Sequence, residues 1–201
     1  MKQSLPDNVR VIQPSILYFG TAVVLLSTLN EDGSTNLTPM SSAWALGHRI
    51  VLGLGESSHG LANLSRHPEC VVNLPDRTLW EKVELLASLT GADPVPEAKR
   101  SRYRHAKDKF VYAGFTDLPS REVRPLRVGE CPLQIEAVVR EARRSEGFSI
   151  VEVEAVCVHS HESILIDDRH IDPTRWNPLI YNFRHYFGLA GELGKTFKSE
   201  T

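Results

Sequence analysis

Cysteine is scarce. The chain of 201 residues has three, Cys70, Cys131 and Cys157, odd in number and far apart. That excludes a disulfide-stapled scaffold and predicts buried thiols in a reducing cytoplasm. A basic surplus is also missing: 23 Lys and Arg face 25 Asp and Glu, a net charge of −2. A dedicated nucleic-acid binder carries an excess of positive charge, so no nucleic-acid partner is indicated. No apolar run reaches the roughly 18 residues of a membrane span. The opening MKQSLPDNVRVIQPS has no apolar core of the kind a secretion signal needs. Repeats and low-complexity stretches are absent. So are a Walker loop, a G-x-G-x-x-G fingerprint and a G-x-S-x-G elbow, which leaves no motif for P-loop, Rossmann or α/β-hydrolase chemistry.

What the chain does have is a globular composition, 41% hydrophobic and 24% charged. At this length a chain buries roughly 70% of its unfolded surface and builds its own core. Residues 1–15 read as an N-terminal arm and 16–201 as a single domain. Thr21 to Leu29 is a strand by its β-branched content, and Asn30-Glu31-Asp32-Gly33 is a hairpin signal. Ser34 to Leu46 is a second extended stretch in which Pro39 forbids an ordinary central strand. Gly47-His48 turns into a third strand, Arg49 to Leu54. Ser57-Ser58 can cap a helix that runs to Arg66 before Pro68. Glu69 to Leu74 is a strand. Leu79, Trp80, Val83, Leu86 and Leu89 recur at helical spacing up to Gly91, and residues 97–109 also read as helix. Two further strands, Leu133 to Arg140 and Phe148 to Val158, flank Ser145-Glu146-Gly147. Their alternation suits a barrel wall wet on one side. Trp44 and Trp80 are expected in the core, and the aromatic tail from Asp172 over the core or a second subunit. The fold class is a mostly antiparallel β-barrel with helical decorations.

Two segments stand out chemically. Asn36-Leu-Thr-Pro-Met-Ser-Ser-Ala-Trp44 interrupts a sheet with a proline and hydroxyl residues. Such a break leaves backbone groups to be satisfied, either at a β-bulge or by a flat heteroaromatic ligand bonding edge-on. In Gly53-Leu-Gly-Glu-Ser-Ser-His-Gly-Leu-Ala-Asn63 a strand ends in glycines and hydroxyls open a helix. This is an ordinary N-cap or an anion site. Side by side, the two describe a mononucleotide with a large ring.

The runs VVLLSTLNEDGSTNLTPMSSAW, LGLGESSHGLANLSRHPECVVNLP and KFVYAGFTDLPSREVRPLRVGECPLQIEA resemble the flavin reductase-like, FMN-binding split-barrel family. The tail HIDPTRWNPLIYNFRHYFGL is similar to that family's C-terminal segment, so the resemblance runs from about Phe19 to the end. It implies a split-barrel homodimer with FMN near the subunit interface, reduced by NADH or NADPH, and a partner monooxygenase or other electron acceptor. Asn36, Pro39, Met40, Ser41 and Ser42 would line the ring and ribityl chain. Ser57, Ser58 and Asn63 would hold the phosphate. Relatives often carry a hydroxyl where this chain has Gly60, and a Gly60 N–H or His59 would substitute. Lys109 and Arg184 are the candidate cations near the flavin, and the tail around Tyr181, Arg184, His185 and Tyr186 would reach the neighbouring subunit's flavin.

Other readings compete. An FMN-holding electron-transfer module would not use nicotinamide directly. His159, His161 and His170, with nearby acids, would suit a metal-dependent hydrolase, or end a strand as a polar loop. A flavin-free relative would keep the barrel alone. The basic stretch Lys99 to Lys109, with six Lys and Arg in eleven positions, is a solvated face or a dock for dinucleotide phosphates.

Overall fold

The computed structural model describes residues 8–197 and residue 199. Residues 1–7 of the expected arm lie outside them, and residues 8–18 carry neither helix nor strand. In chain order the elements are β1 (Phe19–Ala22), β2 (Val24–Leu29), β3 (Thr35–Met40), β4 (Ala43–Leu46), β5 (Arg49–Gly55), α1 (His59–Arg66), β6 (Glu69–Leu74) and α2 (Trp80–Ala87). There follow β7 (Leu89–Thr90), β8 (Arg104–His105), α3 (Lys109–Ala113), β9 (Asp117–Leu118), β10 (Arg127–Val128), β11 (Leu133–Arg144), β12 (Phe148–Ser160), β13 (Ile180–Asn182) and β14 (His185–Phe187).

Seven strands form one antiparallel sheet in the order β3-β2-β6-β11-β12-β5-β4. β3 and β4, separated in the chain by Ser41 and Ser42 alone, therefore occupy opposite edges. The sheet must curl for so short a link to join them, and side chains from all seven strands meet in one core cluster. Leu26, Ile50, Leu52, Val72, Ala137 and Val153 lie at its centre, with Met40 and Ala43 at the seam. Alternation on β2 sends Val24 and Leu26 into this interior and Leu25 to the other face. There Leu25 joins Val23 and Leu37, α2 (Val83, Leu86), α3 (Phe110, Ala113) and the tail residue Leu179 in a second core. Pro39 is tolerated because β3 is an edge strand, paired on one side alone.

Several expectations change in the structure. The strand expected from Thr21 is divided at Val23, whose N–H donates to the Leu179 carbonyl at 2.8 Å. β1 pairs instead with the tail strand β13. Residues 97–109 are not a helix. A single 3-10 turn (Glu97–Lys99) is followed by β8, which pairs in parallel with β7. This basic stretch favours helix by composition but has no apolar stripe, and short helices depend on tertiary packing. Helix appears where Asp108 caps it, accepting from Val111 N–H at 3.0 Å, and ends at Gly114 in the left-handed region. The helix expected to reach Leu89 ends at Ala87, and Leu89 is drawn into β7. Trp44 and Trp80 are not core residues; they are 60% and 46% exposed. Nor is β11 wet on one side. Gln134 and Glu136 are buried there, because the proline-rich passage before β11 folds back over them. The tail does cover the core: Leu179 is buried and Tyr181 and Tyr186 pack on the outer cluster.

Candidate functional site

A cavity of about 490 Å³ opens where the barrel seam meets α2 and the tail. One wall is the seam itself, Pro39 to Ser42, with Gly53 behind it. Ser41 and Ser42 belong to no strand ladder, but the Ser42 carbonyl accepts from Gly53 N–H at 2.7 Å. A Cβ on Gly53 would sit 3.0 Å from the Ser42 Cβ, so the close approach depends on that glycine. The next wall is Ser57, Ser58 and His59 at the start of α1. Lys99, Tyr103 and Lys109 also line it, Lys99 against Ser57, while Val83, Leu86 and Leu89 give an apolar floor beside Tyr18, Tyr181 and Tyr186.

Most polar groups here have hydrogen atoms or charge left to offer. Ser58 is the α1 N-cap residue, yet its hydroxyl makes no capping bond, which removes the ordinary N-cap explanation for it. Thr38 accepts from Asn36 Nδ2 at 3.0 Å, so its own hydroxyl proton stays available. Thr38 also stands 3.0 Å from where a Gly60 Cβ would be, placing a hydroxyl beside the position that lacks one. His59 Nε2 lies 2.8 Å from Asn30 Oδ1. That carbonyl oxygen also accepts from Asn63 Nδ2 at 3.0 Å, so Nε2 carries the proton and Nδ1 is the bare nitrogen.

The electrostatics are one-sided. Lys109 is 2% exposed and its Nζ donates to the Leu37 carbonyl at 2.8 Å. Lys99 Nζ donates to the Ser57 carbonyl at 2.6 Å. No carboxylate lines the cavity among the described residues. Burial, with the charge of Lys99 added, brings the Lys109 ammonium from 10.5 down to about 8. Burial also lowers Lys99. Burial, then the charges of Lys109 and Arg66, hold His59 down at about 4, so its ring is neutral near pH 7.

Of the residues singled out in the sequence, Pro39, Met40, Ser41, Ser42, Ser57, Ser58, His59 and Lys109 line this cavity. Asn36, Asn63 and Arg184 do not. Asn36 is buried behind Thr38, and its Oδ1 has no hydrogen-bond partner among the described residues. Asn63 ties α1 to the end of β2, donating to Thr28 Oγ1 at 3.1 Å and accepting from Arg66 at 2.6 Å. Arg184 lies in a second cavity. Tyr181 and Tyr186, expected to reach a neighbouring subunit, line the cavity of their own chain. Thr38, Tyr18, Thr90 and Tyr103 also line it, beyond the residues the sequence singles out. Thr38 was legible as the hydroxyl inside the interrupted strand. The others come together through the β7–β8 pairing and the tail sheet, which have no local signature.

The histidines do not converge. His159 Nε2 meets the buried Glu136 carboxylate at 2.5 Å, His161 Nε2 meets the Gly129 carbonyl at 2.9 Å, and His170 Nδ1 meets Asp167 at 2.8 Å. One trio of ligand-type groups, Glu136, Cys157 and His159, is close together among the described residues. Its carboxylate is already engaged by the N–H groups of Arg121, Glu122 and Val123 at 2.8, 2.6 and 3.0 Å. Burial alone would raise Glu136, but these bonds and His159 outweigh it and lower its pKa. The trio is a clamp for the covering loop. None of the three cysteines forms a disulfide.

A split antiparallel barrel thus carries a cationic, hydroxyl-lined cavity at its seam. Residues 16–190 match the family model of the flavin reductase like domain, and the chain belongs to that family. It is 53% identical over 194 residues to the uncharacterized protein YdfE of Bacillus subtilis (strain 168), covering 94% of each chain. Among solved structures it is similar to flavoredoxin of Desulfovibrio vulgaris (Miyazaki F), with a TM-score of 0.77, 22% identity and 100% of each chain covered. It is likewise similar to flavoredoxin from Methanosarcina acetivorans, with a TM-score of 0.77, 18% identity and 96% and 97% of the two chains covered. These neighbours establish the shared split-barrel fold.

Proposed function

We propose that the chain binds FMN in the seam cavity and acts as a flavin reductase that uses NADH or NADPH. The observation that carries this reading is the charge imbalance: two lysines and several uncommitted hydroxyls face a cavity without a carboxylate. A buried ammonium without a counter-ion is costly, and an anionic ligand supplies the missing charge. The residues present fit FMN. Ser57, Ser58 and Lys99 at the start of α1 would hold the phosphate, with Thr38 donating its free proton beside Gly60. The unladdered Ser41–Ser42 backbone would meet the edge of the ring, and the apolar floor of Val83, Leu86 and Leu89 its face. Held by these residues, FMN would supply the redox chemistry between a nicotinamide donor and a monooxygenase or other acceptor. The protein needs no acid or base of its own for that step. Lys109 adds fixed positive charge in a water-poor site, which favours the more negative, reduced ligand.

We also infer a homodimer. Trp44 and Leu46 on the edge strand β4, and Val158 on β12, are 60%, 75% and 57% exposed. An unpaired edge bearing such side chains invites a second copy. Three unpaired thiols fit a cytoplasmic setting. No helix among the described residues is long and apolar enough to cross a membrane.

The test is to add FMN to the purified protein and record its spectrum and fluorescence. Shifted flavin bands and quenched emission are expected, and unchanged spectra would refute FMN binding. Stopped-flow mixing with NADH or NADPH should then bleach the bound flavin. Binding without bleaching would favour the electron-transfer module.

A further inference from the structure

A second cavity, of about 760 Å³, lies against the other side of Tyr186, whose ring lines both. Its wall carries two guanidinium groups, Arg77 and Arg184, together with the aromatic faces of Trp80 and Phe187. Among the described residues neither arginine side chain donates a hydrogen bond or forms an ion pair. Glu84 is the one carboxylate in this wall, and one of its oxygens accepts from the Tyr186 hydroxyl at 2.9 Å.

A second observation concerns the turn that delivers Arg184. β13 and β14 pair through Asn182 and His185, leaving the two-residue loop Phe183-Arg184. Both loop residues lie in the left-handed region, with φ of 44° and 68°. A two-residue turn with positive φ at both positions is normally made by Asn-Gly. Bulky L-residues rarely adopt it, and such strain persists where a side chain is used. Meanwhile, the basic stretch Lys99 to Lys109, a solvated face or a dinucleotide dock by its sequence, is largely engaged. Lys107 pairs with Asp32 at 3.0 Å, Arg100 donates to the Val95 carbonyl at 3.3 Å, and Arg104 bonds Tyr112.

We propose that this second groove binds a phosphorylated adenosine, and that its occupant is the adenylate end of the nicotinamide dinucleotide. Arginine forks match phosphate oxygens bidentately. The exposed faces of Trp80 and Phe187 suit a purine, and the remaining Glu84 oxygen accepts from its exocyclic amine. Tyr186, common to both cavities, is then the threshold across which the dinucleotide reaches the flavin. The donor's identity rests on the reductase reading above; adenylate binding itself does not.

The probes are 5′-AMP and 2′,5′-ADP, titrated calorimetrically into the full chain without flavin, alongside steady-state kinetics with NADH and NADPH. Saturable binding of at least one probe is expected. Tighter binding of 2′,5′-ADP assigns the arginines to a 2′-phosphate, and equal binding assigns them to the 5′-phosphate. Arg184→Gln and Arg77→Gln should each weaken the probe by roughly 10- to 100-fold, the worth of a charged hydrogen bond, and raise KM for the dinucleotide more than they lower kcat. Arg184→Gly should relieve the turn and raise the melting temperature while still weakening the probe, which separates ligand contact from folding. If neither probe binds, or if all three variants bind as the wild type does, the proposal is wrong even where the protein turns over NADPH. If a probe binds and the variants weaken it, but neither dinucleotide reduces the flavin, the groove stands as an adenylate site and the reductase reading fails.

Discussion

Replacing Lys109 by methionine should make the flavin-free protein more stable and a poorer flavin binder. The ammonium is 2% exposed, donates to the Leu37 carbonyl at 2.8 Å and faces no carboxylate in its cavity. Its pKa falls from 10.5 to about 8 through burial and the charge of Lys99. The charged form is therefore penalised by about 3 kcal/mol at neutral pH. Methionine has similar length and no charge, and its cost is the lost hydrogen bond, about 1 kcal/mol. The balance is a gain of about 2 kcal/mol, or roughly 4–8 °C in melting temperature for a domain of this size. The pH profile gives an internal control. Between about 8 and 10.5 the unfolded chain holds a proton on Lys109 that the folded chain has released. Wild-type stability should rise with pH across that window, and the variant's should rise less, keeping only the smaller contribution of Lys99, which burial also lowers. FMN affinity should fall roughly 10- to 100-fold with the charge removed. Thermal melts without flavin and a fluorescence titration with FMN measure both sides. A variant that melts below the wild type, or binds FMN equally well, would refute the argument that this buried cation is kept for an anionic ligand.

Other outcomes follow from the same geometry. His59 is held at about 4 against an ordinary 6.5, so acidification through that window should destabilise the flavin-free protein. Half-burial reduces the effect to about 1–2 kcal/mol; His59→Gln should flatten this slope in urea midpoints taken against pH. Asn63→Ala removes the donor to Thr28 and Asn30 and the acceptor for Arg66, and should cost about 2–3 kcal/mol in a urea melt. Trp44→Glu, at an exposed edge position, should shift sedimentation to the monomer while changing flavin-free stability by less than ~0.5 kcal/mol.

What could be read from the sequence was what local chemistry determines. The Asp32-Gly33 hairpin, the alternation that buries Val151 and Val153, and the hydroxyls opening α1 all stand where their residue types require. The interruption at Ser41-Ser42 was visible for the same reason. Its consequence, that β3 and β4 part to opposite edges, was not, because pairing partners far along the chain decide it. The basic stretch 97–109 misled because helix propensity is weak beside two backbone bonds to the segment Ser88–Thr90, from Arg104 N–H to Ser88 and from Ala106 N–H to Thr90, each 3.0 Å. Asn63 looked like a phosphate ligand in the pattern, but the structure turns its amide inward to β2. Trp44 looked like core because large aromatics usually are, and its place on the edge strand β4 leaves it exposed.

The separation of β3 from β4 also sets an order of assembly. Five strands stand between these edges, and they span the chain from Val24 to Ser160. Apart from the β11–β12 hairpin their pairings are long-range, which makes them late and slow. The Ser41–Ser42 gap cannot take its final shape until the whole ring of strands has closed around it. Capture of the yellow chromophore during refolding should thus coincide with the final event, so quenching of added flavin would act as a clock for completion rather than for collapse.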